Sequence, residues 1–262
     1  MLELVNLSTS FQQANSTFHA VNGVSLTVPK GKTIGLVGES GSGKSVTSLS
    51  AMRLLSSNAT CTGQILWKGK DLQQFSDEQM RAVRGREIAM IFQNPLAALN
   101  PVFTVANQMI ETICHHHPLS KEAAREQAIA LLDRVKIPNP ESRIDDYPHQ
   151  FSLGMCQRIM IALSLSMKPD LVIADEPTAS LDVTVQTKIM ELLNELQSEL
   201  EMSMLLISHD LGVIAQNCDY IYIMYKGQLV EEGSAYDIFK HPKDPYTQAL
   251  IAAIPSVEPP KK

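Results

Sequence analysis

Apolar and polar side chains alternate along residues 2–7 (LELVNL) and again along 24–28 (VSLTV), the pattern of half-buried antiparallel strands. The run TIGLV at 33–37 is apolar almost throughout and stops in a cluster of glycines, after which an amphipathic stretch extends from Lys44 to about Leu55. Strand, glycine loop and helix in that order is the arrangement expected of a phosphate-binding turn. Between about 76 and 168 the texture becomes helical: Ser76 and Gln79 have capping-box spacing, and KEAAREQAIALLDRV at 121–135 follows Ser120, an N-cap by residue type. Strand patterns return at 171–174 (LVIA), 204–207 (MLLI) and 220–224 (YIYIM), and Val185, Ile189, Leu192, Leu196 and Leu200 mark a helix between the first two. Strands alternating with helices predict an α/β fold with a mainly parallel, two-sided sheet, preceded by an antiparallel β part and interrupted by an inserted helical subdomain. The last stretch, 241–262, carries five prolines and ends in PPKK, which predicts a tail.

Composition narrows the partners. The chain has 262 residues, 44% hydrophobic and 19% charged, enough for one large or two small domains with a substantial core. Lys and Arg total 22 against 28 Asp and Glu, a net charge of −6, so no global positive field favours nucleic acid or an anionic membrane, and no nucleic-acid partner is expected. Cys61, Cys114, Cys156 and Cys218 lack CxxC spacing, which suits a reducing compartment. Two uncharged stretches, Leu4 to Pro29 and Ile88 to Ile110, are too rich in hydroxyl and amide side chains to cross hydrocarbon, and the second contains Pro95 and Pro101. The opening MLELVNL has no basic segment before an apolar run and does not read as a secretion signal. Work at a membrane would therefore need other chains to hold this one there.

The segment Gly38-Glu39-Ser40-Gly41-Ser42-Gly43-Lys44-Ser45 satisfies G-x-x-x-x-G-K-[ST] between an apolar strand and a helix. Glycines in this spacing let successive backbone N–H groups turn inward on β- and γ-phosphate oxygens, helped by the helix dipole. Lys44 adds a mobile positive charge to the same phosphates, and the Ser45 hydroxyl is a ligand type for Mg²⁺. A second signal is LVIA followed by Asp175-Glu176-Pro177, two acids where a buried strand emerges at the carboxyl edge of a sheet. Adjacent residues on an extended chain point in different directions, so the acids divide the labour: Asp175 for Mg²⁺, Glu176 for the water that attacks the γ-phosphate.

With these segments stand Gln93 in IFQNP, FSLGMCQR at 151–158, SLD at 180–182 and His209 in ISHD, and the whole set resembles, in order and separation, the motifs of ATP-binding cassette ATPases from about residue 2 to 255. The resemblance implies a P-loop, RecA-like nucleotide-binding domain over 1–240, with a core at about 1–92 and 169–240 and a helical signature subdomain at about 93–168, then a short tail at 241–262. It implies ATP and Mg²⁺ as ligands and hydrolysis between two cassettes closed head to tail. Carried over residue by residue, Phe11 stacks on adenine, with Phe18 the alternative, and Gln93 joins Ser45 and Asp175 at Mg²⁺ while its loop touches a transmembrane partner. Glu176 and His209 work at the γ-phosphate, Asp182 lies in the segment crossing the dimer interface, and Ser152, Leu153, Gly154 and Met155 meet the partner's ATP.

The family signature reads LSGGQ, or FSGGM in close relatives; here Leu153 replaces a glycine, and Cys156 stands where Arg is common. A bulky residue at this helix start restricts φ and the approach of a phosphate, which suggests a heterodimer whose sites are unequal. The stretches IFQNPLAALNPVFTVANQM, YPHQFS, DEPTASLDVTVQ and HPKDPYTQALIAAIP resemble the oligopeptide, dipeptide and nickel importer group of bacteria. That resemblance implies a second cassette, two transmembrane permease subunits, an extracytoplasmic binding protein, and a station at the cytoplasmic face of the membrane. Two other readings remain open: a nucleotide-binding subunit with a regulatory role, and a soluble cassette protein outside transport. His115-His116-His117 reads as a solvated loop, because consecutive side chains diverge and do not converge on one ion.

Overall fold

The computed structural model describes residues 1–14 and 16–253. In chain order the elements are β1 (Leu2–Gln13), β2 (Ser16–Val28), β3 (Thr33–Val37), α1 (Lys44–Ala51), β4 (Ala59–Trp67), β5 (Lys70–Asp71), α2 (Asp77–Val83), β6 (Ile88–Ile91), α3 (Pro95–Ala98), α4 (Val105–His116), α5 (Lys121–Arg134), α6 (Pro140–Arg143), α7 (Leu153–Leu165), β7 (Leu171–Asp175), α8 (Val183–Glu199), β8 (Ser203–Ser208), α9 (Leu211–Asn217), β9 (Tyr220–Tyr225), β10 (Gln228–Ser234), α10 (Ala235–Lys240) and α11 (Pro245–Ala252). The chain divides into two compact units: Met1–Arg81 together with the chain from Ser203 onward, and Ala82–Met202. Strands β6 and β7 and helix α8 belong to the second of these units.

In the first unit β2, β1, β4 and β5 form an antiparallel sheet in that order. Leu2 and Leu4 of β1 are buried as the alternation encodes, and Leu7 is buried beyond an irregularity at Asn6, whose φ is 49°. Both strands of the hairpin run further than the alternation suggests, since residues 10–13 and 16–19, polar except for Phe11 and Phe18, continue the pairing with little burial, and burial is all that the pattern reports. Beside this sheet the strands run β10, β9, β3, β8, with β3 parallel to both neighbours and β10 antiparallel on β9. Every residue of β3 and β8 is buried, and that is why both are continuous apolar runs.

The second unit contains the parallel pair β6 and β7, also fully buried, and helices α3 to α8. Its helical core is built from Met109 and Ile113 on α4, Ala124, Ala128 and Leu132 on α5, and Ile159, Ile161 and Ala162 on α7. Ser120 caps α5 by accepting from the Ala123 N–H at 3.2 Å.

Two boundaries differ from the sequence expectation. Helix α1 stops at Ala51 rather than near Leu55, because Arg53 turns left-handed (φ 50°) and its guanidinium donates to the carbonyls of Leu72 and Phe75. The stretch expected to trail as a tail contains α11: Pro245 occupies the first turn, where a missing N–H costs nothing, and Asp244 caps it by accepting from the Tyr246 N–H at 2.8 Å. Residues 254–262 of that stretch lie outside the described residues.

Leu36 is 0% exposed at the centre of β3. Leu36→Ala is expected to lower stability by about 2–5 kcal/mol in urea unfolding, the range for a large-to-small change in a close-packed core; a cost below about 1 kcal/mol would mean that β3 is not close-packed.

Candidate functional site

In the first unit the parallel register fixes what surrounds the glycine loop. Val37 pairs with Ser208 of β8 and with Ile223 of β9, so Gly38 and His209 leave β3 and β8 at one level, beside Met224 near the end of β9. A Cβ on Gly38 would overlap the Met224 carbonyl oxygen, so only glycine admits this approach. The loop is also held by Gly227, whose N–H donates to the Ser42 carbonyl at 2.9 Å, and by Tyr246, whose hydroxyl accepts from the Glu39 N–H at 3.0 Å. Within the loop Gly41 (φ 79°) and Gly43 (φ 107°) take left-handed conformations, and Gly43 is the N-cap of α1.

Lys44 is 4% exposed, and its Nζ donates to the carbonyls of Gly38 at 2.8 Å and Glu39 at 2.9 Å, so the cation folds back across the loop. The Ser42 Oγ is buried without a hydrogen-bond partner among the described residues. Ser40 is exposed on the loop and Ser45 is half-buried in the first turn of α1. This combination of buried cation, orphaned hydroxyl and helix N-terminus fits a phosphate chain. His209 is exposed immediately after β8.

The second unit repeats the register logic. Ile91 of β6 pairs with Ala174 of β7, so Gln93 and Glu176, each two residues further on, emerge side by side. The Gln93 Nε2 donates to the Glu176 Oε2 at 2.8 Å. Glu176 holds a left-handed φ of 48°, a conformation that costs an ordinary residue about 1–2 kcal/mol and that turns it out of the strand direction. Asp175, the last residue of β7, is 5% exposed. Within this unit the Asp175 carboxylate and the Gln93 amide oxygen are hard donors of the kind a divalent cation takes.

The signature segment starts α7. Ser152 is its N-cap and accepts from the Met155 N–H at 3.3 Å, which puts Leu153 and Gly154 in the first helical turn. Leu153 has an ordinary helical φ and is half-buried, so the backbone restriction expected from a side chain here does not arise. At Gly154 the requirement is real, since a Cβ would come within 2.8 Å of the Val185 Cγ1 on α8. Asp182 caps α8 through its Oδ1, which accepts from the Val185 N–H at 3.0 Å. The two aromatic candidates, Phe11 and Phe18, are direct partners across the β1–β2 ladder, with Phe18 55% exposed. Sequence reasoning passed over Met224, Gly227 and Tyr246, because they reach the loop through strand register and chain return, which leave no local motif.

The family model of the ABC transporter matches residues 21–179. The chain belongs to the ABC transporter family. A second model, the oligopeptide/dipeptide transporter C-terminal region, matches residues 230–262. The chain is 48% identical to the dipeptide transport ATP-binding protein DppD of Bacillus subtilis over 98% of its own length and 78% of that protein's. It is 46% identical to the oligopeptide transport ATP-binding protein OppD of the same organism over 98% and 73%. The dipeptide transport ATP-binding protein DppD of Escherichia coli is 47% identical over 97% and 78%. Among solved structures, the ATP-binding cassette MJ0796, a dimer bound to ADP and Pi, superposes with a TM-score of 0.79 at 24% identity over 90% of this chain and 99% of that one, a likeness of fold. The cassette cbiO1 of Clostridium perfringens superposes with a TM-score of 0.76 at 26% identity over 92% and 90%.

The loop glycines are expected to separate by cause. Gly41→Ala meets no atom within 4 Å and pays only for its positive φ, about 1–2 kcal/mol. Gly38→Ala collides with backbone and should cost more in chemical denaturation; equal costs would show that the Met224 carbonyl retreats freely.

Proposed function

We propose that this chain is the ATP-hydrolysing subunit that energises a bacterial peptide importer. The observation that carries the reading is the Gln93–Glu176 pair, a carboxylate at the end of a buried strand, turned outward by a left-handed φ and held at 2.8 Å by an amide. Glu176 serves the attacking water as base or orienting acceptor, and Gln93, bonded to it, reports whether that position is engaged. Lys44 leaves the Gly38 and Glu39 carbonyls for the β- and γ-phosphate oxygens, exchanging two neutral acceptors for charged ones. By the family resemblance Ser45, Asp175 and Gln93 would each offer an oxygen to Mg²⁺, which would supply charge neutralisation to phosphoryl transfer. His209 acts at the γ-phosphate, and Phe11 stacks on adenine with Phe18 opposite it in the ladder.

Relatives whose names state dipeptide and oligopeptide transport support peptides over nickel or metal chelates as cargo. The partners are then a second cassette, two transmembrane permease subunits and an extracytoplasmic binding protein, with this chain peripheral on the cytoplasmic face. No helix among the described residues is long and apolar enough to cross a membrane. A second reading, a heterodimer with unequal sites, is favoured by Leu153. The Ser152–Met155 turn is the part that approaches the other cassette's nucleotide, and a leucine there occupies space that a glycine would leave open.

Two expected outcomes follow for the assembled complex. Glu176→Gln should cut ATP turnover by about 10²-fold or more while ATP still binds, whereas Lys44→Ala should lose binding; wild-type turnover in Glu176→Gln would remove Glu176 from the mechanism. Leu153→Gly should raise turnover by restoring the partner's site, and an unchanged rate would remove the support for unequal sites.

A further inference from the structure

The C-terminal helix reaches back to the phosphate loop. Glu231 on β10 accepts from the N–H groups of Lys243 at 2.8 Å and Asp244 at 3.0 Å, and these two bonds set where α11 begins. Asp244 then caps the helix, Thr247 is wholly buried, and Tyr246 lies between them on the first turn. The Tyr246 ring packs against Tyr225 at the end of β9, with centroids 4.3 Å apart and planes tilted by 31°. Its hydroxyl accepts from the Glu39 N–H at 3.0 Å, the second residue of the loop. Glu39 also supplies one of the two carbonyls that hold the Lys44 Nζ. One peptide segment therefore links the tyrosine to the phosphate-binding cation.

We infer that Tyr246 is a positioning residue for the phosphate loop, through which the C-terminal region at 230–262 sets the affinity of the site for ATP. The hydroxyl restrains the one stretch of the loop that is exposed, Glu39 to Gly41, while Met224 and Gly227 restrain its ends. Burial raises the Tyr246 phenol above its ordinary range, so the hydroxyl stays neutral at physiological pH and the contact does not titrate there. The inference rests on the ATP-binding reading, because the loop must bind phosphates for its restraint to matter. It gives the region matched by the oligopeptide/dipeptide transporter C-terminal model a task at the nucleotide: the Glu231–Asp244–Tyr246 chain makes the loop's rest position depend on how α11 is seated.

The test uses the full chain and a fluorescent ATP analogue with Mg²⁺. Tyr246→Phe keeps the ring against Tyr225 and removes only the acceptor, and it should raise the Kd about two- to tenfold, the ratio equivalent to one neutral hydrogen bond. Amide hydrogen exchange at residues 38–45 should quicken in the same variant without nucleotide. Glu231→Ala should weaken binding in the same direction, and Tyr246→Phe should add nothing on top of it. An unchanged Kd in Tyr246→Phe, with or without a lower Tm, would leave the tyrosine a packing residue and overturn the inference. Lys44→Ala separates the two levels. If it abolishes binding while Tyr246→Phe binds as wild type, the ATP site stands and the inference falls; if wild type shows no Lys44-dependent binding, both fall.

Discussion

The phosphate loop has no core of its own, and its shape depends on the Met224 carbonyl occupying the space that any side chain at Gly38 would need. That contact exists because β3 lies between β8 and β9 in parallel register, with Val37 level with both Ser208 and Ile223. Strands β3 and β8 end at that height, while β9 runs on to Tyr225 and brings the Met224 carbonyl alongside Gly38. The buried sheet supplies the rigidity, and the loop inherits it at its two ends. Between those ends the backbone is exposed, which is why a single hydrogen bond from a distant helix carries weight there.

The same device operates in the second unit on a smaller scale. Pairing of Ile91 with Ala174 delivers Gln93 and Glu176 to adjacent positions without any longer-range contact having to aim them. Aim is then refined by strain. The left-handed φ of Glu176 costs about 1–2 kcal/mol, an expense tolerated because β7 is buried on both sides and cannot yield. Asp175, one residue earlier, stays in strand geometry and remains buried, so two neighbouring carboxylates meet different surroundings from one stretch of chain.

The chemistry was legible in the sequence where it is local. The glycine loop, Asp175 with Glu176, and the Ser120 and Ser76 caps announce themselves through spacing, and strands 33–37 and 171–175 through unbroken apolar runs. Elements whose burial is one-sided or partial were harder. Strand β4 buries only Ile65 and Trp67 fully, and the weak alternation of its small residues Ala59 to Thr62 gives little signal. Helix α11 was masked by its prolines, since Pro245 starts a helix when an aspartate stands before it, and counting prolines cannot tell a start from a break. Tyr246 was invisible for a further reason: its partner at Glu39 is a backbone amide 207 residues away.

The signature segment shows how a motif's departure from its family pattern divides once each position has a physical cause. Two neighbouring positions carry glycine in the family pattern, and only one of them requires it in this chain on local grounds. Gly154 is fixed by the close approach of Val185 on α8, a matter internal to the second unit. Leu153 sits in ordinary helical backbone with nothing strained, so folding places no demand for glycine there. On the proposed reading this leucine faces whatever approaches the N-terminal turn of α7, a place suited to an anion.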